Sequence, residues 1–430
     1  MDINRKTAYL VLMAVETKKQ YSNIALNHNI KREKPTSEAF VRELVYGVLE
    51  NKKLLDYVIS KLITGKLKNV RTPDLTILRM GIYQIAKMSS VPEYAAVDES
   101  VQLAKKYARG RDKFINGVLR SYIRDRYNIA LPDREKELVK YLSVKYSYEE
   151  WIIKLWMEEF DAEFTESLLA AGNQTPPLTI RTNTGKISRD ELIAELRKDG
   201  FEAEKCSLAE KGIKVIGEGL LETEAYKQGK FSVQDEASQV AVQLLDPRPG
   251  ELVIDVCAAP GGKTLASAER MDGHGTVMAQ DIYAGKTDII EREAKRLGLV
   301  NIKTKTWDAT RLRPELCGKA DKVIVDAPCS GLGVVRRKPE IKYKKNNEQM
   351  ASLPVKQLAI LETAAKYLVD GGLLMYSTCT VNHYENRRVA EDFVRRNPEF
   401  KIEDRIQLLP NVNGTDGFYI CLMRKEAKKK

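Results

Sequence analysis

Only six cysteines are spread over the 430 residues, none paired as CxxC, and only three histidines, His28, His274 and His383, could join them as ligands. Zinc and iron–sulfur sites built from closely spaced Cys and His are therefore disfavoured, and no metal is expected. A disulfide framework is disfavoured too, because it belongs to small, cysteine-dense secreted chains. No apolar run approaches the roughly 18 residues that span a bilayer, so no membrane partner is expected. The short apolar stretch in MDINRKTAYLVLMAVETKKQ places Ala8, Val11, Leu12 and Val15 on one face between charges. That is the pattern of an amphipathic helix, not of a signal peptide. These absences point to the cytosol, a reducing compartment where a conspicuous thiol does chemistry and not cross-linking.

Acidic charge is the minority. Asp and Glu number 60 against 71 Lys and Arg, a formal charge of +11, which makes a polyanion such as nucleic acid a plausible partner. With 43% hydrophobic and 30% charged residues, the chain can bury cores and is not disordered. At roughly 100 to 200 residues per domain it should hold two to four domains.

Texture along the chain divides it into three. Residues 1–128 are helical in pattern throughout: Val41, Leu44, Val45 and Val48 follow the i, i+3, i+4, i+7 spacing, and Thr72-Pro73-Asp74 reads as a cap with proline at the first helical position. This predicts an all-α bundle. Residues 129–234 read as a small α+β module, with a β-like run at 178–182 and a capping box, Ser188 with Glu191, opening a helix. From 235 to 430 apolar strand-like runs (LVIDVCA, GTVMAQD, KVIVDAP, GLLMYSTC) alternate with helical ones, which signals a parallel, doubly wound α/β sheet of Rossmann type. The closing Lys428-Lys429-Lys430 reads as a solvated end.

The first strand of that sheet runs into Cys257, Ala258, Ala259, Pro260, Gly261, Gly262 and Lys263. Ligands of open α/β sheets sit beyond the carboxyl ends of the strands, where small residues let them approach the backbone. A P-loop would need glycine where Cys257 stands, and a dinucleotide fingerprint would need GxGxxG in place of AAPGGK. S-adenosyl-L-methionine remains. Asp281, ending the second strand, is placed for the ribose hydroxyls; Asp308, after the third, for the adenine amino group; Asp326 ends the fourth. Each alone is equally well a cap or turn residue. Together they favour a cofactor site.

Two strand ends also carry thiols, Cys329 in DAPCSG and Cys379 in YSTCT. Carbon 5 of a pyrimidine is a poor nucleophile, and a thiolate adding to carbon 6 activates it toward a methyl sulfonium. The carbon 5 proton must then leave so that the thiol can be eliminated, a step a second thiol can assist. Asp326 could hydrogen-bond the ring nitrogen or exocyclic amine of cytosine. Inert core cysteines are the plainer alternative, but two thiols beside Asp326 favour chemistry.

DVCAAPGGKT, DAPCSGLGVVRRKPEIKYK and YSTCTVNHYEN resemble the motifs of the RNA 5-methylcytosine methyltransferases, and the likeness spans the whole chain. The N-terminal helices, including KFINGVLR, resemble the NusB-type RNA-binding fold. KFSVQDEASQ is similar to the segment that leads into the family's catalytic domain. The resemblance implies an S-adenosyl-L-methionine-dependent class I methyltransferase domain acting on small-subunit (16S) ribosomal RNA. It implies Cys379 as nucleophile, Cys329 as the thiol that aids product release, and cofactor contacts from the loop Cys257 to Lys263 with Asp281, Asp308 and Asp326. Where many members have Pro-Glu-Glu-Asn after the nucleophile, this chain has His383-Tyr384-Glu385-Asn386.

The densest basic stretch, Arg336, Arg337, Lys338, Lys342, Lys344 and Lys345 with Tyr343 interleaved, follows Cys329 closely. It is read as an RNA-binding segment, with Tyr343 stacking on a splayed base; a solvated loop is the alternative. Arg109, Arg111, Lys113 and Arg120 are either solvent charges or a second RNA footing. A duplexed target would have to be flipped, so an unpaired cytidine is preferred. Transfer RNA as substrate, and an inactive RNA-binding or antitermination factor, are the competing readings. The chain is expected to act as a monomer.

Overall fold

The structure is a computed structural model and describes residues 1–344 and 347–427, with only the backbone of residues 347–349; Lys345 and Lys428-Lys429-Lys430 lie outside the described residues. The chain forms two compact units, Met1–Asn173 with Val335–Asn346, and Gln174–Val334 with Asn347–Lys430.

The first unit is all helix. Asp2 caps Ile3–Lys18 by accepting from the Arg5 amide at 2.8 Å, and Ala8, Val11, Leu12 and Val15 are its buried face. Val41, Leu44, Val45 and Val48 are likewise buried, on helix Glu38–Glu50. Helix Thr72–Lys87 starts one residue earlier than its sequence suggests, with Arg71 at the cap; the fully buried Asp74 binds Arg71 and Arg111. The unit also runs past residue 128. Helices Leu138–Tyr146, Glu150–Met157 and Ala162–Ala171 belong to it. They bury Leu142, Ile152, Ile153 and Trp156, and Ser147 Oγ accepts from the Leu54 amide at 3.0 Å. Among the described residues no helix is long and apolar enough to cross a membrane.

The second unit holds two sheets. The smaller is antiparallel, with strands β1 (Leu178–Thr182), β2 (Glu202–Lys205), β3 (Gly212–Ile216) and β4 (Phe231–Val233) in the order β2-β3-β1-β4. Its helix Arg189–Lys198 begins with both arms of the Ser188/Glu191 capping box formed. The larger sheet comprises β5 (Leu252–Asp255), β6 (Thr276–Asp281), β7 (Ile302–Thr306), β8 (Ala320–Asp326), β9 (Leu368–Thr378), β10 (Phe400–Leu408) and β11 (Phe418–Lys425). Their order is β10-β11-β9-β8-β5-β6-β7.

Strands β5 to β9 are parallel, as their alternation with helices implies, but β10 and β11 close the edge as an antiparallel pair beside β9. The sheet is therefore mixed. Succession runs outward one way through β5, β6 and β7 and the other way through β8 and β9. The reversal lies between β5 and β8, so their carboxyl ends frame the crevice where ligands of such sheets sit.

Candidate active site

Every strand from β5 to β9 brings a residue singled out from the sequence to that edge. β5 runs into the turn Cys257 to Gly261 and then into helix Gly262–Arg270. Gly261 sits at φ +110°, a conformation open to glycine, and a Cβ there would lie 3.1 Å from Ile290. The turn is fixed from below. Thr264 donates to the fully buried Asp255 at 2.7 Å, and the Cys257 amide donates to the same carboxyl group at 3.4 Å. Burial pushes the Asp255 acid up to about 7, with the Thr264 bond opposing. Burial, reinforced by Asp255, Asp326 and Asp281, also pushes the Cys257 thiol up, so it is not a thiolate nucleophile.

A cleft of about 780 Å³ opens beside this turn, lined by Cys257 and Ala259, by Asp281 and Tyr283 after β6, by Trp307 and Asp308 after β7, and by Asp326, Pro328 and Lys356. Asp281 is buried; its oxygens accept from the amides of Ala259 at 3.2 Å and Tyr283 at 3.1 Å. Asp308 accepts from the amide and hydroxyl of Thr310 at 3.0 and 2.8 Å, which holds its acid below the ordinary range. The structure thus brings together the turn and all three aspartates named from the sequence. Tyr283 and Trp307 were not foreseen. An aromatic two residues after Asp281 and another just before Asp308 was the available signal.

Asp326 has a partner that spacing could not reveal. Lys263, buried in helix Gly262–Arg270, places Nζ 2.7 Å from one carboxylate oxygen, and Ser377 donates to the other at 2.9 Å. The Lys263 ammonium also lies 4.8 Å from the Phe418 ring centroid. An acceptor and a donor therefore stand side by side at the ends of β8 and β5, suited to the edge of a polar heterocycle.

Cys329 and Cys379, both half-buried, bring their sulfurs to 3.3 Å. Two contacts hold their loops together and a third anchors Gly333 next to β11. Ser330 and Thr380 hydroxyls bond at 2.6 Å, the Gly333 amide donates to the Cys379 carbonyl at 3.0 Å, and the Gly417 amide donates to the Gly333 carbonyl at 2.8 Å. A Cβ on Gly333 would come within 1.8 Å of the Gly417 carbonyl oxygen, so the approach requires glycine. The contact with Cys379, then burial, then the negative charges of Cys379, Glu385 and Asp326 push the Cys329 thiol well up. Either sulfur can be the donor in their contact.

The basic run does not lie where its sequence suggests. Residues 335–344 are embedded in the helical unit. Glu340 accepts from the Ser22 amide and hydroxyl at 2.8 and 2.9 Å, at the start of helix Ser22–Glu33. Lys342 is fully buried, donating to the Glu50 carbonyl at 3.2 Å and Asn173 Oδ1 at 2.6 Å beneath the Tyr148 ring. Tyr343 donates to the Ser147 carbonyl at 2.8 Å, and Lys344 to the Gln20 carbonyl at 2.9 Å. Arg336 is buried, Arg337 is half-buried, and half-buried Lys338 lies 5.5 Å from the Tyr21 ring centroid. Lys342 and Tyr343 are packing residues here, not a phosphate contact and a stacking platform: each spends its polar atoms on backbone or amide acceptors.

Among the described residues no group of Cys, His, Asp and Glu could hold a metal ion. Residues 242–424 match the family described as 16S rRNA methyltransferase RsmB/F, residues 2–124 the NusB family, and residues 148–219 the ferredoxin-like domain of RsmF/B-like methyltransferases. The probable ribosomal RNA small subunit methyltransferase B of Bacillus subtilis is 36% identical, covering 98% of this chain and 98% of that protein. Its probable counterpart from Synechocystis is 31% identical, covering 98% and 99%. The solved structure of PH0851 superposes with a TM-score of 0.82 at 25% identity over 98% of both chains.

Proposed function

Given that the chain belongs to the ribosomal RNA small subunit methyltransferase B family, we propose that it methylates carbon 5 of a cytidine in 16S ribosomal RNA through a covalent adduct on Cys379. The observation that carries the reading is the sulfur pair at 3.3 Å beside the Lys263–Asp326 couple. S-adenosyl-L-methionine, when bound, supplies the electrophilic methyl group. The cleft fits it chemically: carboxylates of Asp281 and Asp308 offer acceptors for hydroxyl and amino groups, Tyr283 and Trp307 offer flat apolar surface, and the Cys257 to Lys263 turn offers close backbone approach.

Cys379 adds as thiolate to carbon 6 of the ring, which makes carbon 5 enamine-like. The Cys329 thiol stands at contact distance from the Cys379 sulfur in the resting site. Asp326 accepts from the exocyclic amine or protonated ring nitrogen, and Lys263 neutralises the carboxylate and donates toward the carbonyl side. Once carbon 5 carries the methyl group, a solvent water positioned by Cys329 takes the carbon 5 proton, the freed electron pair restores the carbon 5–carbon 6 double bond, and the Cys379–carbon 6 bond breaks to return the Cys379 thiolate. The reading includes a cytosolic setting and an unpaired target nucleotide, since stacked bases must be flipped out before a thiol can reach carbon 6.

Total RNA from cells with and without the protein, mapped by bisulfite sequencing, tests substrate and position together. Loss of one cytosine mark in small-subunit ribosomal RNA is expected. Unchanged ribosomal RNA with a lost transfer RNA mark would replace the substrate, and no lost mark anywhere would favour a non-catalytic RNA-binding role. In vitro, Cys379→Ala should abolish transfer, and Cys329→Ala should accumulate an RNA–protein adduct on a denaturing gel.

A further inference from the structure

Glu385 lies in the turn after Cys379 with none of its surface exposed, and the chemistry above makes no use of it. Three N–H donors converge on its carboxylate. Oε2 accepts from the Ser330 amide at 2.7 Å and from Gln357 Nε2 at 3.1 Å, while Oε1 accepts from Asn382 Nδ2 at 2.7 Å. Ser330 directly follows Cys329, and Gln357 also donates to the carbonyl of Pro328, which precedes it, at 3.0 Å. Asn382 belongs to the turn after Cys379, and its Oδ1 accepts from the Tyr384 amide at 3.1 Å, which fixes which end of the amide faces Glu385. One side chain thus grips both cysteine loops.

The group required at this point is an acceptor on both oxygens. A carboxylate supplies that, whereas an amide would set N–H against N–H at one end. A buried carboxylate persists only when fully hydrogen-bonded, and this one is.

We propose that Glu385 is a positioning residue for the thiol pair, its carboxylate clamping the loop of Cys329 to the turn after Cys379 so that the sulfurs stay in contact. The proposal rests on the reading of these cysteines as the reacting pair. Its charge has a second effect, because a buried anion beside Cys329 opposes thiolate formation there. Among the described residues, the titratable and charged groups facing Cys329 include Tyr376 in β9 and Cys379 just after it, Glu385 from the turn, and Asp326 from β8 with Lys263 paired to it.

The test reads Cys329 directly. In full-length protein carrying Cys379→Ala, without RNA or methyl donor, iodoacetamide labelling of the Cys329 peptide is followed by mass spectrometry across pH. Adding Glu385→Gln should move the labelling midpoint down by about one pH unit or more, and Glu385→Asp, which keeps the charge, should move it back toward the parent. An unchanged midpoint in a folded Glu385→Gln protein overturns the proposal. If Glu385→Gln does not fold, Asn382→Ala and Gln357→Leu each remove one donor and leave the carboxylate in place. On the native cysteine pair, each should slow single-turnover methylation about tenfold while S-adenosyl-L-homocysteine affinity changes less than about twofold. Parallel loss of affinity, or no slowing, overturns it equally. Labelling needs neither RNA nor donor, so its failure is separate from failure of the methyltransferase reading, which would appear as a native protein that methylates nothing.

Discussion

Cys329 Sγ and Cys379 Sγ lie 3.3 Å apart across the ends of two neighbouring parallel strands, β8 and β9. A disulfide bond is about 2.05 Å, so the pair is reduced but within a small movement of bonding. Mild oxidation with diamide should therefore join them: two thiols give up two protons and two electrons to the diazene, and one S–S bond forms. Methyl transfer should stop, and dithiothreitol should restore it. Peptide mapping checks this; a treated, inactive protein in which both cysteines remain alkylatable would contradict the contact.

A pH dependence of stability follows from Asp255. Its acid is pushed up to about 7, chiefly by burial, against an ordinary value of roughly 3.9. Between those two values the folded chain holds a proton that the unfolded chain has lost. Stability then falls as pH rises from about 4 to 7, by up to about 4 kcal/mol, and is flat above. Asp255→Asn is neutral throughout and still offers Thr264 an acceptor. Its urea midpoint should improve relative to the native chain between pH 5 and pH 8. A pH-independent difference would show that Asp255 ionises normally.

Arg181 braces the Cys257 to Lys263 turn from the neighbouring sheet. On β1, with its side chain 3% exposed, it pairs with Glu269 through two nitrogens at 2.7 and 2.9 Å. Its third nitrogen donates to the Gly262 carbonyl at 3.1 Å and to Gln234 Oε1. Breaking a buried pair from one side strands the other charge and costs about 3–5 kcal/mol. Arg181→Met should show that loss in urea melts and weaken S-adenosyl-L-homocysteine binding by calorimetry. Arg181→Met with Glu269→Met should regain much of the stability but not the affinity, because the Gly262 contact stays lost.

What the sequence makes legible is local. Asp281 and Asp326 each end a recognisable strand, Cys329 follows the same strand end as Asp326, and Cys379 follows the end of one more, so a parallel sheet aligns them without further knowledge. Features set by distant partners are not legible. The Lys263–Asp326 couple joins positions 63 residues apart in the numbering. β10 alternates Phe400, Ile402, Ile406 and Leu408, but Asp404 stands at the in-phase position between them, where the strand also carries a register shift. β11, in FYICLMRK, is a continuous apolar run that does not distinguish strand from helix. Glu385 is visible as a motif residue, but not as the acceptor between two loops.

Lys342 shows the same limit most sharply, and its substitution separates packing from RNA contact. In sequence it is one cation of a basic run; in the fold, burial pushes its ammonium down to about 7. The unfolded chain, with a lysine near roughly 10.4, then binds more protons than the folded chain between those values. Stability of the helical unit should rise with pH from about 7 to 10 through this residue. Lys342→Met keeps the stem but leaves the Asn173 and Glu50 acceptors without their donor, at a cost of about 1–3 kcal/mol near neutral pH. The variant should lose that rise of stability with pH. Its RNA affinity should keep the native salt slope, since each phosphate contact removed lowers the slope by about 0.9. A slope reduced by that amount, with unchanged melting, would put Lys342 on the RNA.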